Sequence, residues 1–263
     1  MTLQPLDLQK LLADLKDAAL AAGREIMAVY EGEITVSHKD DSSPQTEADI
    51  RGEKAILAHL DRTCPGIPVV AEEAAAAGET PEDFGTRFFL VDPLDGTKEF
   101  INRNGDFTVN IALVEEGVPV AGVVYAPARG RLFLGALALG ATQATVSDGV
   151  PGPARPITIR PRPAEGLTVV ASRSHRSPET DDYLKDFDVA ELKPAGSSLK
   201  FCVVAAGEAD LYPRHGPTME WDTAAGHAVL LAAGGRVETL DGKPLAYGKP
   251  GFRNPYFVAR GNI

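Results

Sequence analysis

One segment constrains this chain more than any other: residues 90–100, which read LVDPLDGTKEF. The apolar residues 88–91 predict the end of a buried strand. Asp92 and Asp95 then lie on either side of Pro93, which removes a backbone donor and stiffens a turn. Two carboxylates at the end of a buried strand offer hard oxygen ligands for a divalent cation.

The residues after the second carboxylate favour an anion. Gly96 allows a sharp turn or a close approach to a ligand. Thr97 begins a short predicted helix, and the N–H groups at such a start attract negative charge. Magnesium suits this combination, because proteins commonly hold it with a few carboxylates and a substrate phosphate. An ordinary surface turn is the alternative, since Asp-Pro and Asp-Gly are common turn dipeptides.

The composition bounds the class of protein. The 263 residues are 44% hydrophobic and 24% charged, which is enough for a large core in one domain or two packed lobes. The formal net charge of −11 argues against a nucleic-acid polymer as partner, because a polyanion would be repelled. A small phosphate ester is a different case, because bound cations reverse the local field.

The sequence also gives expectations about location. We see no apolar run of the roughly 18 residues that a membrane span needs, and no secretory signal at the start. Cys64 and Cys202 lie far apart, which indicates reduced thiols instead of a disulfide framework. We therefore expect a cytoplasmic protein without a transmembrane segment. Peripheral association with the inner membrane stays open, as does the choice between monomer and homodimer.

Residues 1–150 are predicted to form an N-terminal α+β lobe. Apolar residues recur at three- and four-residue steps from Leu8 to Val29, which predicts an amphipathic helix. A second helix begins after Thr46, where Asp49 completes a loose capping box. Short β-rich runs separated by turn signals fill residues 107–146 and are typical of an antiparallel meander.

A proline-rich stretch over residues 150–163 marks the predicted lobe boundary. In residues 151–263, strand and helix patterns alternate, which indicates layered α/β packing with partly parallel connections.

Further acidic residues lie at the ends of predicted elements. Glu72 and Glu73 follow the apolar run 68–71, and α/β enzymes place ligands at such strand ends. Asp222 precedes a predicted helix in the sequence WDTAAG, whose small residues suit a close approach. From position alone, solvated surface charge and helix capping are the simpler interpretations.

Three segments indicate contacts to an anion. Ser198 and Lys200 lie at a predicted helix start in the sequence GSSLKF, where hydroxyl and N–H groups can bind an anion. Serine capping alone is the alternative there. Arg214 adds a cation after a strand, and residues 172–175 (SRSH) follow another strand within reach of a phosphate or sugar.

Taken together, DPLDGT and WDTAAG in this order resemble the signature of the inositol monophosphatase superfamily of magnesium-dependent, lithium-sensitive phosphatases. The KEF ending, SRSH and GSSLKF resemble its 3'(2'),5'-bisphosphate nucleotidase branch, which hydrolyses 3'-phosphoadenosine 5'-phosphate (PAP). The resemblance covers essentially the whole chain. It implies an α/β (α+β) fold of the sugar-phosphatase type, a layered α-β-α-β-α sandwich with the site between two packed lobes.

The resemblance also implies roles for individual residues. Asp49 and Thr97 would position the attacking water, supported by Glu73, and two Mg²⁺ ions would bind per site with a third, weaker one at Asp49. The implied metal ligands are Glu72, Asp92, the carbonyl of Leu94, Asp95, Asp222 and Asp49. The implied substrate contacts are Glu72, Leu94, Asp95, Gly96, Thr97, Ser198, Lys200, Arg214 and Asp222.

The implied reaction is hydrolysis of the 3'-phosphate of PAP to AMP and phosphate by metal-activated water, which would remove a by-product of sulfate assimilation. The sulfated nucleotide PAPS, giving APS, is a further candidate substrate. An inositol or sugar monophosphatase on the same fold is the nearest alternative. A non-catalytic nucleotide-binding sensor is an alternative of another class. The sequence leaves the preference among these substrates open.

Overall fold

Two helices near the N-terminus form the outer layer of a computed structural model that describes residues 7–39, 43–171 and 177–263. Helix α1 (Leu8–Tyr30) is capped by the Asp7 carboxylate, and α2 (Glu47–Thr63) begins at a capping box between Thr46 and Asp49. Both predicted helices, the first from its periodicity and the second from its capping box, are confirmed. Between them, β1 (Val36–His38) and β2 (Pro44–Thr46) form an antiparallel pair.

The larger sheet follows and contains the predicted meander. Its strands have the spatial order β10-β8-β7-β6-β5-β4-β3, with β9 paired to β8. Only β3 and β4 run parallel among the pairs described for this sheet; the other pairs are antiparallel. The elements of this part are β3 (Val69–Ala71), α3 (Glu72–Ala76), β4 (Arg87–Asp95), α4 (Thr97–Ile101), β5 (Thr108–Glu115), β6 (Val118–Ala126), β7 (Arg131–Ala136), β8 (Gly140–Ser147), β9 (Val150–Pro151) and β10 (Arg155–Ile157).

Strand β4 is longer than the sequence predicted. Instead of ending at Val91, it continues to Asp95, and its pairing with β5 shifts register between Asp92 and Asp95. The irregularity falls at Pro93, which cannot donate to the ladder. The N–H of Leu94 is satisfied locally by the Asp92 carboxylate at 2.9 Å. Both acidic residues therefore lie on the end of one buried strand.

The smaller sheet has the order β12-β11-β13-β15-β14. Strand β11 runs parallel to both neighbours, and β15 runs antiparallel to both of its neighbours, so the expected partly parallel connections are confirmed. The elements are β11 (Leu167–Ala171), α5 (Pro178–Leu184), β12 (Val189–Pro194), α6 (Leu199–Ala205), β13 (Leu211–Arg214), α7 (Ala224–Ala232), β14 (Arg236–Thr239) and β15 (Phe257–Arg260).

Three buried clusters join these elements into five layers. Helices α1 and α2 pack on one face of the larger sheet, and α6 and α7 lie between the two sheets. On the far side, Leu184 of α5 packs with Val169 and Leu211 of the smaller sheet. The layered α-β-α-β-α sandwich is thereby confirmed. The lobe division after residue 150 stays a prediction, and β10, which follows that position, still pairs with β8.

Helix α7 lies directly on the backbone of the larger sheet. A Cβ atom at Gly122 would be 2.8 Å from the carbonyl oxygen of Ala225, and one at Gly135 would be 2.6 Å from Cα of Val229. Side chains at these two strand positions would therefore push the helix away. This contact fixes the distance between the larger sheet and α7, the helix that begins just after Asp222.

Among the helices of the described ranges, none combines the length and apolarity needed to cross a bilayer.

Candidate metal centre

A cavity of about 320 Å³ is lined by residues from both sheets and the helices between them. Its lining comes from the starts of α3, α4 and α6, the end of β4, strand β13 and the turn before α7. The structure therefore brings together segments that are far apart in the sequence. The predicted site residues on its lining are Glu72, Asp92, Leu94, Asp95, Gly96, Thr97, Lys200, Arg214 and Asp222.

Three carboxylates converge at this cavity. One oxygen atom from each of Glu72, Asp92 and Asp222 lies within 4.8 Å of the others. Glu72 is the first residue of α3, Asp92 lies on β4, and Asp222 precedes α7. Burial raises the pKa of Asp92 and of Asp222 well above the usual range, and the neighbouring carboxylates raise both further. Asp92 is buried and the other two are partly buried, and such a set of mutually repelling oxygen donors fits a hard divalent cation.

Asp95 faces the same cavity and is held from the other side. Its Oδ2 accepts a hydrogen bond of 2.6 Å from the hydroxyl of Ser197, and its charge adds to the raised pKa of Asp92. The neighbouring carbonyl of Leu94 accepts a bond of 3.4 Å from Thr97 Oγ1. Both predicted metal ligands on this stretch therefore lie at the cavity, and their role stays a prediction.

Asp49 caps a helix and also contacts Thr97 on the cavity lining, although it does not line the cavity itself. Its Oδ2 accepts bonds of 2.7 Å from the N–H and from the hydroxyl of Thr46, which completes the capping box. Its Oδ1 accepts a bond of 3.1 Å from the hydroxyl of Thr97. Burial raises the pKa of Asp49. The capping and the functional interpretations are thus compatible, because each uses a different oxygen.

A lysine that the sequence did not indicate lies beside the acidic pair. The ammonium of Lys39 is 2.7 Å from Glu72 Oε1 and 2.7 Å from Glu73 Oε1, and the amide of Gln45 donates to Glu73. Burial alone would lower the pKa of Lys39, but the two carboxylates raise it. Lys39 falls in a polar stretch without periodicity, so no local pattern predicted this contact.

Glu53 supports the acidic pair from α2. Its buried carboxylate accepts bonds from the N–H of Glu73 at 2.8 Å and the N–H of Ala74 at 2.9 Å, at the start of α3. Burial raises the pKa of Glu53 to about 7. In the sequence it is one of several charged residues in a polar helix, so its burial was not predicted.

This raised pKa predicts a pH-dependent stability. The folded chain binds the Glu53 proton up to about pH 7, whereas the unfolded carboxyl has lost it above its ordinary pKa of 4.5. The stabilisation is therefore full below pH 4.5 and is lost as pH rises through 7, amounting to about 3 kcal/mol. Denaturant unfolding at a series of pH values should show this step in wild type and not in Glu53→Gln. Glu47→Gln, at an exposed position of the same helix, should keep it.

Ser197, and not Ser198, lines the cavity. The buried Ser198 hydroxyl donates to the carbonyl oxygen of Asp222 at 2.5 Å, so it supports the turn that carries this carboxylate. Lys200 is also buried and donates to the carbonyl of Ser197 at 2.7 Å, and burial lowers its pKa to about 8. Arg214 lines the cavity and donates to the carbonyl of Pro217. Residues 172–175 lie outside the described residues.

Asp222 is held by a turn that is itself braced by buried groups. The N–H of Met219 donates to Asp222 Oδ2 at 2.8 Å, and Asn254 Nδ2 donates to the carbonyl of Met219 at 2.8 Å. The fully buried carboxylate of Glu220 accepts from the N–H of Gly248 and pairs with the Lys249 ammonium at 2.6 Å. These bracing residues carried no recognisable sequence signal, because each acts on a segment distant in the chain.

Comparison with known proteins agrees with this geometry. The model of the inositol monophosphatase family matches residues 7–256. A protein of Salmonella typhimurium named 3'(2'),5'-bisphosphate nucleotidase CysQ is 45% identical over 250 residues, covering 94% of this chain and 98% of that protein. The protein of the same name from Escherichia coli K12 is 46% identical over 239 residues, covering 90% and 94%.

Solved structures show the same similarity. CysQ from Bacteroides thetaiotaomicron, described as a bacterial member of the inositol monophosphatase family, has a TM-score of 0.82 at 39% identity and covers 98% of this chain and 100% of its own. An inositol monophosphatase from Anabaena has a TM-score of 0.75 at 28% identity, covering 98% and 93%.

Proposed function

This chain belongs to the inositol monophosphatase family, and from that premise we propose that it is a magnesium-dependent 3'(2'),5'-bisphosphate nucleotidase. Its reaction is hydrolysis of the 3'-phosphate of PAP to AMP and phosphate, with PAPS as a second candidate substrate. The observation that carries the proposal is the convergence of Glu72, Asp92 and Asp222 in one cavity. The substrate class follows the names of the curated relatives.

The residues present fit divalent cations. Together with Asp95 and the carbonyl of Leu94, the three converging carboxylates offer oxygen atoms only, as Mg²⁺ prefers. We propose two ions at this set and a third, weaker one at Asp49. Five acidic side chains and three basic ones line the cavity, so bound cations are needed before a dianionic phosphate is attracted. These side chains are Glu72, Asp92, Asp95, Glu99 and Asp222, against Lys98, Lys200 and Arg214.

When bound, magnesium supplies Lewis-acid stabilisation of the phosphoryl oxygens and lowers the pKa of water. The protein's own contribution begins with Thr97, whose hydroxyl donates to Asp49 Oδ1. Because its hydrogen is directed there, the Thr97 oxygen accepts a hydrogen bond from the attacking water and orients it. While the weaker third site is empty, Asp49, whose pKa is raised by burial, receives the proton through Thr97. The leaving 3'-oxygen takes its proton from a second water. Glu73 supports this arrangement beside Glu72 and Lys39.

Other residues bind the substrate in this proposal. The N–H groups of Gly96 and Thr97 bind the transferred phosphoryl oxygens, and Gly96 adopts the left-handed conformation (φ 97°) that glycine tolerates. Lys200 and Arg214 provide positive charge for the second phosphate. We propose a cytoplasmic location, which suits the buried free thiols of Cys64 and Cys202.

A panel of phosphate esters tests the proposal. Phosphate release from PAP, PAPS and inositol 1-phosphate should be measured with magnesium and after its removal by a chelator. We expect magnesium-dependent release that is fastest from PAP. Faster release from inositol 1-phosphate would favour the monophosphatase alternative. Tight binding of PAP without turnover would favour the sensor.

A further inference from the structure

The segment before α6 crosses from the smaller sheet to the larger one. A Cβ atom at Gly196 would lie 2.7 Å from the carbonyl oxygen of Asp106, so the two backbones are in direct contact. The next residue, Ser197, has φ 54°, a left-handed conformation that costs an L-residue roughly 1–2 kcal/mol. Glycine would fit this backbone without strain. The presence of serine there points to a use of its hydroxyl.

That hydroxyl joins the two sides of the cavity. It donates to Asp95 Oδ2 at 2.6 Å and also contacts the hydroxyl of Thr108 on β5. A hydrogen bond to a carboxylate is stronger than one between neutral groups. Since the hydrogen of Ser197 is directed to Asp95, its oxygen is left to accept from Thr108.

A buried asparagine continues this chain of hydrogen bonds. Thr108 Oγ1 is 3.1 Å from Asn110 Oδ1, and both residues are fully buried. Within the described ranges, Asn110 Nδ2 is buried without a hydrogen-bond partner. Turning this amide by 180° places its N–H on Thr108, so each contact in the series has one donor and one acceptor, and the amide oxygen becomes the group without a partner. The direction of donation is then Asn110 to Thr108, Thr108 to Ser197, and Ser197 to Asp95.

We propose that Ser197 is a positioning residue that fixes the carboxylate of Asp95 for cation binding, with Thr108 and Asn110 orienting its hydroxyl. The proposal rests on the proposed function, in which Asp95 is a metal ligand. Glu72, Asp92 and Asp222 converge on one another, and Ser197 holds Asp95 on the lining of the same cavity. Outer partners of this kind hold metal ligands in position.

Two substitutions distinguish the effect of the Ser197 hydroxyl from the effect of its backbone conformation. Ser197→Ala and Ser197→Gly both remove the hydroxyl, but only glycine also relieves the left-handed strain. Binding of Mg²⁺ alone should be measured by calorimetry without substrate, and unfolding by thermal denaturation without magnesium. We expect both variants to weaken Mg²⁺ binding roughly tenfold. Ser197→Gly should melt at a higher temperature than Ser197→Ala.

A matched control is available at Asp148, in the exposed turn between β8 and β9. Asp148 also adopts a left-handed conformation, with φ 51°. Asp148→Gly relieves the same kind of strain, so it should raise the melting temperature without changing Mg²⁺ binding.

Thr108→Val provides a second, independent variant. Valine keeps the shape of threonine, and Thr108 does not belong to the cavity lining described above, so contact with substrate cannot explain an effect. We expect weaker Mg²⁺ binding, with a smaller change than for the Ser197 variants.

Three results would overturn the proposal. Wild-type Mg²⁺ binding in Ser197→Gly alone would show that only the backbone turn matters. Wild-type binding in all variants with a raised KM for PAP would make Ser197 a substrate contact. A wild-type protein that binds no Mg²⁺ would remove the proposed function itself, which distinguishes the two failures.

Discussion

Asp92→Asn is expected to lower the turnover of PAP by roughly three powers of ten, because one lost metal ligand removes several kcal/mol of transition-state stabilisation. Asp92 is 1% exposed and lies at the centre of the carboxylate cluster. The asparagine oxygen can still accept the N–H of Leu94, so the end of β4 should keep its shape. Phosphate release at saturating PAP over a series of magnesium concentrations measures the loss.

The same substitution, which lowers activity, should raise the thermal stability of the protein. Without magnesium, Asp92→Asn should melt at a higher temperature than wild type, since it removes one buried charge that the neighbouring carboxylates repel. Asp186→Asn, at an exposed position, changes the net charge equally and should alter neither quantity. Nearly full activity in Asp92→Asn would exclude Asp92 from the metal centre. An unchanged melting temperature would show that, without magnesium, the Asp92 carboxylate does not destabilise the folded protein.

Thr97→Val has the second largest expected effect, a loss of roughly a hundredfold in kcat. Valine has the shape of threonine but cannot donate to Asp49 or accept a hydrogen bond from water, so the proton path that we propose is interrupted. KM for PAP should change little, because the N–H of residue 97 remains. Steady-state kinetics give both constants, and thermal denaturation shows whether the fold is retained.

Thr145→Val is the matched control, because Thr145 is an exposed threonine on β8. It should have wild-type kinetics. If Thr97→Val instead raised KM and left kcat unchanged, Thr97 would bind the substrate without orienting the water.

Local patterns were sufficient for much of the fold. The apolar spacing of α1 and the turn signals of the meander predicted those elements, because each depends on residues close together in the chain. The layer order and the family came from the resemblance of DPLDGT and WDTAAG, and both are confirmed. For the site, the same motifs led to the acidic residues that now line one cavity.

The supporting residues could not be predicted in this way. Glu53, Lys39 and Ser197 each act on a residue from another part of the chain, and such pairs have no characteristic spacing. The sequence predicted Ser198 as the substrate contact, and it could not distinguish this residue from Ser197 because both are serines at a helix start. The two serines differ in backbone conformation, left-handed at Ser197 and right-handed at Ser198, and the sequence does not reveal this difference.

The proposed metal-binding carboxylates come from two distant parts of the chain. Glu72 begins α3, and Asp92 and Asp95 lie on β4, whereas Asp222 lies in the turn before α7. Because Asp222 reaches its place only when α7 packs on Gly122 and Gly135, the centre depends on contacts between distant parts of the chain. Closing such long loops is entropically costly and is completed late in folding. A fragment that ends with β12 at Pro194 would therefore keep Glu72, Asp92 and Asp95 but would lack both Asp222 and Ser197, the serine that holds Asp95.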